Sequence, residues 1–247
     1  MGANYEWNEA DSPLALAEQL ADRLVSQINQ SIESNGIAAV AVSGGSTPKP
    51  LFQALAKREL DWSKLVLTLV DERWVPPGHE LSNASFLQKH LLDDLPASVT
   101  FVPLYADNKS DENNKLVTES FSELLNNYCA VTDSDPANPH KFDAVILGMG
   151  GDGHTASFFP DADNIAELVD AKNLNHLLTC NSPSTQVQRI TWSLPMLLNT
   201  SLLALHITGQ NKRRVFETAA KEGSAQELPI RSVIFKDGDP LHVYYAD

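Results

Sequence analysis

Six consecutive apolar residues, Ile37-Ala38-Ala39-Val40-Ala41-Val42, stand between Gly36 and Ser43-Gly44-Gly45. A run this short, apolar at every position, suits a β-strand buried on both faces, as in the interior of a parallel sheet. The segment before it reads as a helix. Asp11-Ser12-Pro13 supply a cap and a first-turn proline, Leu16, Leu20, Leu24, Ile28 and Ile32 recur at helical spacing, and Gly36 closes the segment. After it the pattern repeats. Thr47 and Pro48 start a helix with Leu51, Phe52 and Leu55 on its inner face, and further strands are predicted over 65–70, 99–103, 142–147, 176–180, 189–192, 202–207, 232–235 and 241–245. Helices are predicted from Ser82 to Leu92, over 111–128 with Leu116, Phe121, Leu124, Leu125 and Tyr128 facing inward, and over 211–221. Strands alternating with helices imply an α/β fold, a doubly wound, mostly parallel sheet with helices on both faces. The last two runs, joined through Lys236-Asp237-Gly238-Asp239-Pro240, read as an antiparallel hairpin at the sheet edge. The acidic, proline-containing stretch 132–140 reads as a surface connector. With no internal repeat, low-complexity segment or composition break, residues 1–247 read as a single α/β domain.

Charge and cysteine usage narrow the functions. The formal net charge is −14. Nucleic-acid binding and docking on an anionic membrane both need basic surface, so neither partner is expected. A small anionic ligand remains compatible, because a few Lys or Arg side chains make a local positive pocket inside an acidic protein. Cys129 and Cys180 lie far apart and form no CxxC, hence neither a disulfide framework nor a zinc signature; they read as core residues. The seven histidines show no HxH or HExxH pairing, which argues against a metal site. No signal peptide is visible, no apolar run is long enough to span a bilayer, and Glu6 stands where a myristoylation signal carries Ser or Thr. A cytoplasmic protein is the expectation; oligomeric state stays open, a monomer being compatible.

In open α/β sheets ligands bind beyond the carboxyl ends of the strands. Four unusual segments follow predicted strands here: Ser43-Gly44-Gly45-Ser46-Thr47-Pro48, Asp71-Glu72-Arg73-Trp74, Gly148-Met149-Gly150-Gly151-Asp152-Gly153-His154 and Thr208-Gly209-Gln210-Asn211-Lys212. The first combines flexible glycines with hydroxyl donors and suits a phosphate, although a simple strand-to-helix turn reads the same way. It is neither a Walker loop nor GxGxxG, and Ser43 lacks the GxSxG elbow of a serine nucleophile. The third segment, with glycines at 148, 150, 151 and 153, allows close backbone approach to a ligand and ends in His154. Imidazoles titrate near neutrality, which suits a general base. A lone histidine is more often structural, but this context favours function. Asp71 and Arg73, Arg189 at the start of a strand, and Lys212 at the start of a helix each read equally as surface charges; facing one cavity, they would bind an anion or steady developing negative charge.

Taken together, these segments resemble the 6-phosphogluconolactonases. The resemblance runs through SGGSTP at 43–48, DERWVP at 71–76 with Ser82-Asn83, GMGGDGHTASFFP at 148–160, Arg189-Ile190-Thr191 and Thr208-Gly209-Gln210-Asn211-Lys212, in order and spacing over nearly the whole chain. It implies the fold shared with glucosamine-6-phosphate deaminases and ribose-5-phosphate isomerases. It also implies hydrolysis of 6-phospho-D-glucono-1,5-lactone in the oxidative pentose phosphate pathway, without metal or organic cofactor. His154 would be the base, and Ser43, Gly44, Gly45, Ser46 and Thr47 with Arg73, Arg189 and Lys212 would surround the phosphate. Gly150 and Gly151 would lie against the substrate, and either Asp71 or Asp152 would orient the imidazole. The alternatives are an amino-sugar-phosphate deaminase or isomerase and a non-catalytic sugar-phosphate sensor. The deaminases carry a glutamate before the proline that follows DGH, where this chain has Phe159, and a tyrosine in place of Arg73.

Overall fold

The structure, a computed structural model, describes residues 2–105 and 115–247, with the backbone alone for 115–120. The predicted helix start at 111–114 and the side chain of Leu116 therefore lie outside what the structure describes. In chain order the elements are β1 (Tyr5–Glu9), α1 (Pro13–Asn35), β2 (Ala38–Val42), α2 (Lys49–Leu55), β3 (Leu65–Leu69), β4 (Asp71–Arg73), α3 (Asn83–His90), β5 (Thr100–Val102), α4 (Lys115–Thr132) and β6 (Ala144–Leu147). They continue with α5 (Ile165–Leu168), β7 (Leu177–Cys180), β8 (Arg189–Trp192), α6 (Leu194–Leu198), β9 (Leu203–Thr208), α7 (Gln210–Ala219), α8 (Arg231–Ile234) and β10 (Leu241–Ala246).

Seven strands form one sheet in the order β1-β10-β9-β6-β2-β3-β5, with every neighbouring pair parallel. All residues of β2, β3 and β6 are buried, which is why their sequences carry no polar face. α1 begins where its sequence says it should. The Ser12 side chain accepts the Ala15 N–H, Pro13 opens the first turn, and Gly36 at φ 79° donates its N–H to the Ile32 carbonyl. Leu16, Leu20, Leu24 and Ile28 are wholly buried in the continuous core.

The sheet order places the ligand rim. The chain leaves β2 for β3 and β5 on one side, then returns to lay β6 along the other side of β2. The crevice between β2 and β6 is thus the topological switch point, where an open α/β sheet parts its loops. The glycine-bearing loops after β2 and β6 meet there: Ser43 N donates to Ile146 O at 3.0 Å, and Gly148 N donates to Ser43 Oγ at 3.1 Å.

Several expectations are corrected. The C-terminal antiparallel hairpin does not form. Residues 231–234 are the short helix α8, closed by Ile234 N to Ile230 O and Phe235 N to Arg231 O, both 3.0 Å. β10 is an inner strand, parallel to both β9 and β1. The edge belongs to β1, which the sequence reading did not anticipate. Trp7 of β1 lays its ring 5.3 Å from Phe216 and 5.2 Å from Tyr245. Antiparallel pairing exists, but in a separate sheet of order β4-β8-β7. The segment from Asp71 is therefore a strand rather than a loop at a strand end. Thr47 makes no capping bond to α2, whose cap position is Pro48. Ser82, in contrast, accepts the Ser85 N–H as the cap of α3, which ends at His90 rather than Leu92.

Candidate active site

A cavity of about 330 Å³ opens at the switch point. Its lining draws on four segments: Ser43–Pro48 after β2, Asp71 and Arg73 of β4, Gly148–Gly150 with His154 after β6, and Thr208 with Lys212 at the start of α7. Arg189 of β8 and Phe159 also line it. Of the predicted site residues, only Gly151 and Asp152 are not on the wall; both are exposed members of the glycine loop.

One wall carries the imidazole. His154 Nδ1 lies 2.6 Å from Asp152 Oδ1, and the His154 backbone N–H donates to the same oxygen at 3.2 Å. Burial opposes ionisation of the Asp152 carboxyl, but the hydrogen bond and charge of His154 outweigh it and bring its pKa down to about 2. In a neutral imidazole, an ionised Asp152 favours the tautomer with its proton on Nδ1, which frees the lone pair of Nε2. Asp71, the other candidate for this task, is occupied elsewhere, its Oδ2 accepting from Ser157 Oγ at 2.6 Å. Gly150 has to lack a side chain, since a Cβ there would fall 2.1 Å from His154 Nδ1 and 2.3 Å from Asp152 Oδ1. Lys212 reaches this wall too. Its ammonium donates to the Met149 carbonyl, and burial makes it easier to deprotonate than usual while Asp152 opposes that shift.

The other wall is cationic. Arg73 and Arg189 are direct partners across the antiparallel β4–β8 pair. Like charges directly opposite on two strands repel each other. Burial first, and then the charge of Arg73, make the Arg189 guanidinium easier to deprotonate than usual. The Nε atoms of both arginines are buried without a hydrogen-bond partner among the described residues. Two cations gathered at one cavity wall give that wall a positive potential, which suits an anion. Phe159 separates the two walls. Its ring centroid is 4.4 Å from that of His154, and the Arg189 guanidinium carbon sits 5.6 Å over the same ring.

Asn83 and His206 are among the lining residues not predicted as site residues. Asn83 contacts the Arg73 guanidinium, with Arg73 Nη1 donating to Asn83 Oδ1 at 2.8 Å. His206 of β9 is 3% exposed, and neither ring nitrogen has a partner among the described residues. Burial pushes its pKa down to about 4, so it is neutral near pH 7. The signal for it was present: one ionisable residue interrupts the apolar strand just before Thr208-Gly209. Among the described residues no three His, Cys, Asp or Glu side chains cluster closely enough to hold a metal ion.

A family profile described as glucosamine-6-phosphate isomerases/6-phosphogluconolactonase matches residues 11–242. The chain belongs to this family. Among its relatives, the 6-phosphogluconolactonase of Rhizobium meliloti is 38% identical over 236 residues, 96% of either chain. The crystal structure of a 6-phosphogluconolactonase from Shewanella baltica superposes with a TM-score of 0.87 at 31% identity, covering 100% of both chains. The Trypanosoma brucei 6-phosphogluconolactonase, at 21% identity, shares the fold with a TM-score of 0.81 over 99% of this chain and 97% of the other.

Proposed function

We propose that this protein hydrolyses 6-phospho-D-glucono-1,5-lactone to 6-phosphogluconate. The observation that carries the reading is the cavity with a paired-arginine wall on one side and a carboxylate-oriented imidazole on the other. A phosphate dianion between Arg73 and Arg189 relieves their repulsion, and the hydroxyls and amides of Ser43–Thr47 border the same space. Binding energy from this remote group is spent on orienting the lactone. Lys212 was expected beside the phosphate; its contact with the glycine loop suits it better to the lactone carbonyl.

Neutral His154 takes a proton from a water molecule through Nε2 as the water oxygen bonds to the carbonyl carbon. The carbonyl π bond becomes an alkoxide, which the Lys212 charge and the glycine-loop amides stabilise. When the carbonyl reforms, the bond to the ring oxygen breaks and that oxygen takes the proton back from His154. Asp152 steadies the imidazolium between these steps. The product carboxylic acid is fully ionised at neutral pH, so each turnover releases one proton.

Phe159 favours lactone hydrolysis over deamination. An apolar ring 6% exposed stands where the deaminases place a ring-opening glutamate. Proton release from freshly made 6-phosphogluconolactone, against a protein-free blank, tests the proposal beside an ammonia assay on glucosamine 6-phosphate. The proposal expects fast acid release and no ammonia; ammonia production, or binding of either sugar without turnover, contradicts it. We read residues 1–247 as one domain, supported by the continuous core, and place it in the cytoplasm, where phosphorylated sugars are metabolised. Among the described residues no helix is long and apolar enough to cross a membrane.

A further inference from the structure

Arg73 does not stand free in the cavity; a chain of buried polar groups holds it. The chain starts at Glu72, whose side chain does not line the pocket and is 0% exposed. Glu72 Oε1 accepts the backbone N–H groups of Arg73 and Asn83, each at 2.7 Å. Oε2 accepts Ala84 N at 2.7 Å and Ser82 Oγ at 2.9 Å. Burial raises the pKa of this carboxyl, while the four donors act in the opposite direction. Two of the donors are the first N–H groups of α3, which otherwise have no partner within a helix. Glu72 thereby fixes the start of α3 against β4.

Asn83, the first residue of α3, is 2% exposed. Its Nδ2 donates to Asp71 O at 2.9 Å, and its Oδ1 accepts from Arg73 Nη1 at 2.8 Å. A carbonyl at one end and a guanidinium at the other allow only one orientation of the amide. Arg73 Nη1 also donates to Leu81 O at 2.8 Å. The opposite side of Asn83 is closed by Gly44, where a Cβ would fall 2.1 Å from Oδ1 and 2.3 Å from Cγ. The serine-glycine loop therefore has a second use beyond bordering the anion.

We propose that Asn83, seated on Glu72, is a positioning residue that fixes the Arg73 guanidinium for anion binding, and that position 44 is glycine to leave room for its amide. This rests on Arg73 being a ligand of the substrate phosphate. A long cationic side chain facing Arg189 would otherwise swing away, and holding it in advance removes the ordering cost from the binding step.

The test is steady-state kinetics on the phosphorylated lactone, with thermal melting as control, for Arg73→Ala, Asn83→Ala, Gly44→Ala and the Gly44→Ala/Asn83→Ala double variant. Arg73→Ala is expected to raise KM at least about tenfold, and Asn83→Ala and Gly44→Ala about fivefold or more, with kcat within about threefold. In the Asn83→Ala background the amide is gone and only the Cβ of residue 83, 2.9 Å from the added methyl group, remains in its way, so Gly44→Ala should raise KM much less than it does in the wild type. A merely structural role would lower the melting temperature and the active fraction while leaving KM alone. Asn83→Leu, close in shape but without the amide, serves where truncation unfolds the chain. An unchanged KM in Arg73→Ala overturns the phosphate assignment itself. A raised KM in Arg73→Ala with a normal KM in the Asn83 variants overturns the positioning role, and full additivity in the double variant overturns the role of Gly44.

Discussion

Asp152 and His154 are separated by one residue, yet their side chains touch because Gly153 takes φ 78° and turns the chain back on itself. A carboxylate with a pKa of about 2 stays ionised throughout the range in which an enzyme works, so Asp152 contributes a constant negative charge rather than a titrating one. Asp152→Asn keeps the shape and removes the charge. It is expected to lower kcat by about ten- to a hundredfold with little change in KM, because the imidazolium loses its partner while the phosphate clamp is untouched. Equal losses in kcat and in phosphate affinity would show that Asp152 supports the pocket as a whole. At this scale the sequence was informative in part. GGDGH placed a carboxylate and an imidazole together, but Asp71 remained an equal candidate because spacing along the chain says nothing of Ser157, which binds it. The partnership of Arg73 with Arg189 was equally invisible, since it depends on the register between β4 and β8.

At the scale of elements, the parallel strands were legible because burial on both faces leaves an uninterrupted apolar run, as in β2 and β6. In the small sheet β7 and β8 were legible as strands, but β4 was not, because it is three residues long and every one of them is charged. The C-terminal hairpin was misread because Ser-Val-Ile-Phe has strand composition, while Arg231 anchors it locally by donating to the Ser224 carbonyl at 3.0 Å. β9 carries a consequence for stability. Burial depresses the pKa of His206 from 6.5 to about 4, so the folded protein resists a proton that the unfolded chain accepts. Its contribution is complete above about pH 6.5 and is lost as pH falls toward about 4, with a full size on the order of 3 kcal/mol. Urea unfolding at pH 7 and pH 5 should therefore show a smaller acid-induced loss for His206→Leu than for the wild type. An identical loss in both would place the acid sensitivity elsewhere.

The molecule as a whole is acidic, with a formal charge of −14, yet it gathers Arg73, Arg189 and Lys212 around one cavity. The fold makes this possible by bringing the ends of β2, β6 and β9 to a single rim and setting the β4–β8 pair beside it. A far field of this sign disfavours nucleic acids and anionic membranes, and it is compatible with a cationic near field inside a partly buried cleft, where the proposed phosphate would bind. The proposed hydrolysis depends most on His154 acting as the base on a lactone held by the opposite wall. The most direct measurement compares His154→Gln with the wild type in proton release from fresh 6-phosphogluconolactone across a range of substrate concentrations. A fall in kcat of about a hundredfold or more with KM within about threefold is expected; hydrolysis at the wild-type rate would contradict the assignment.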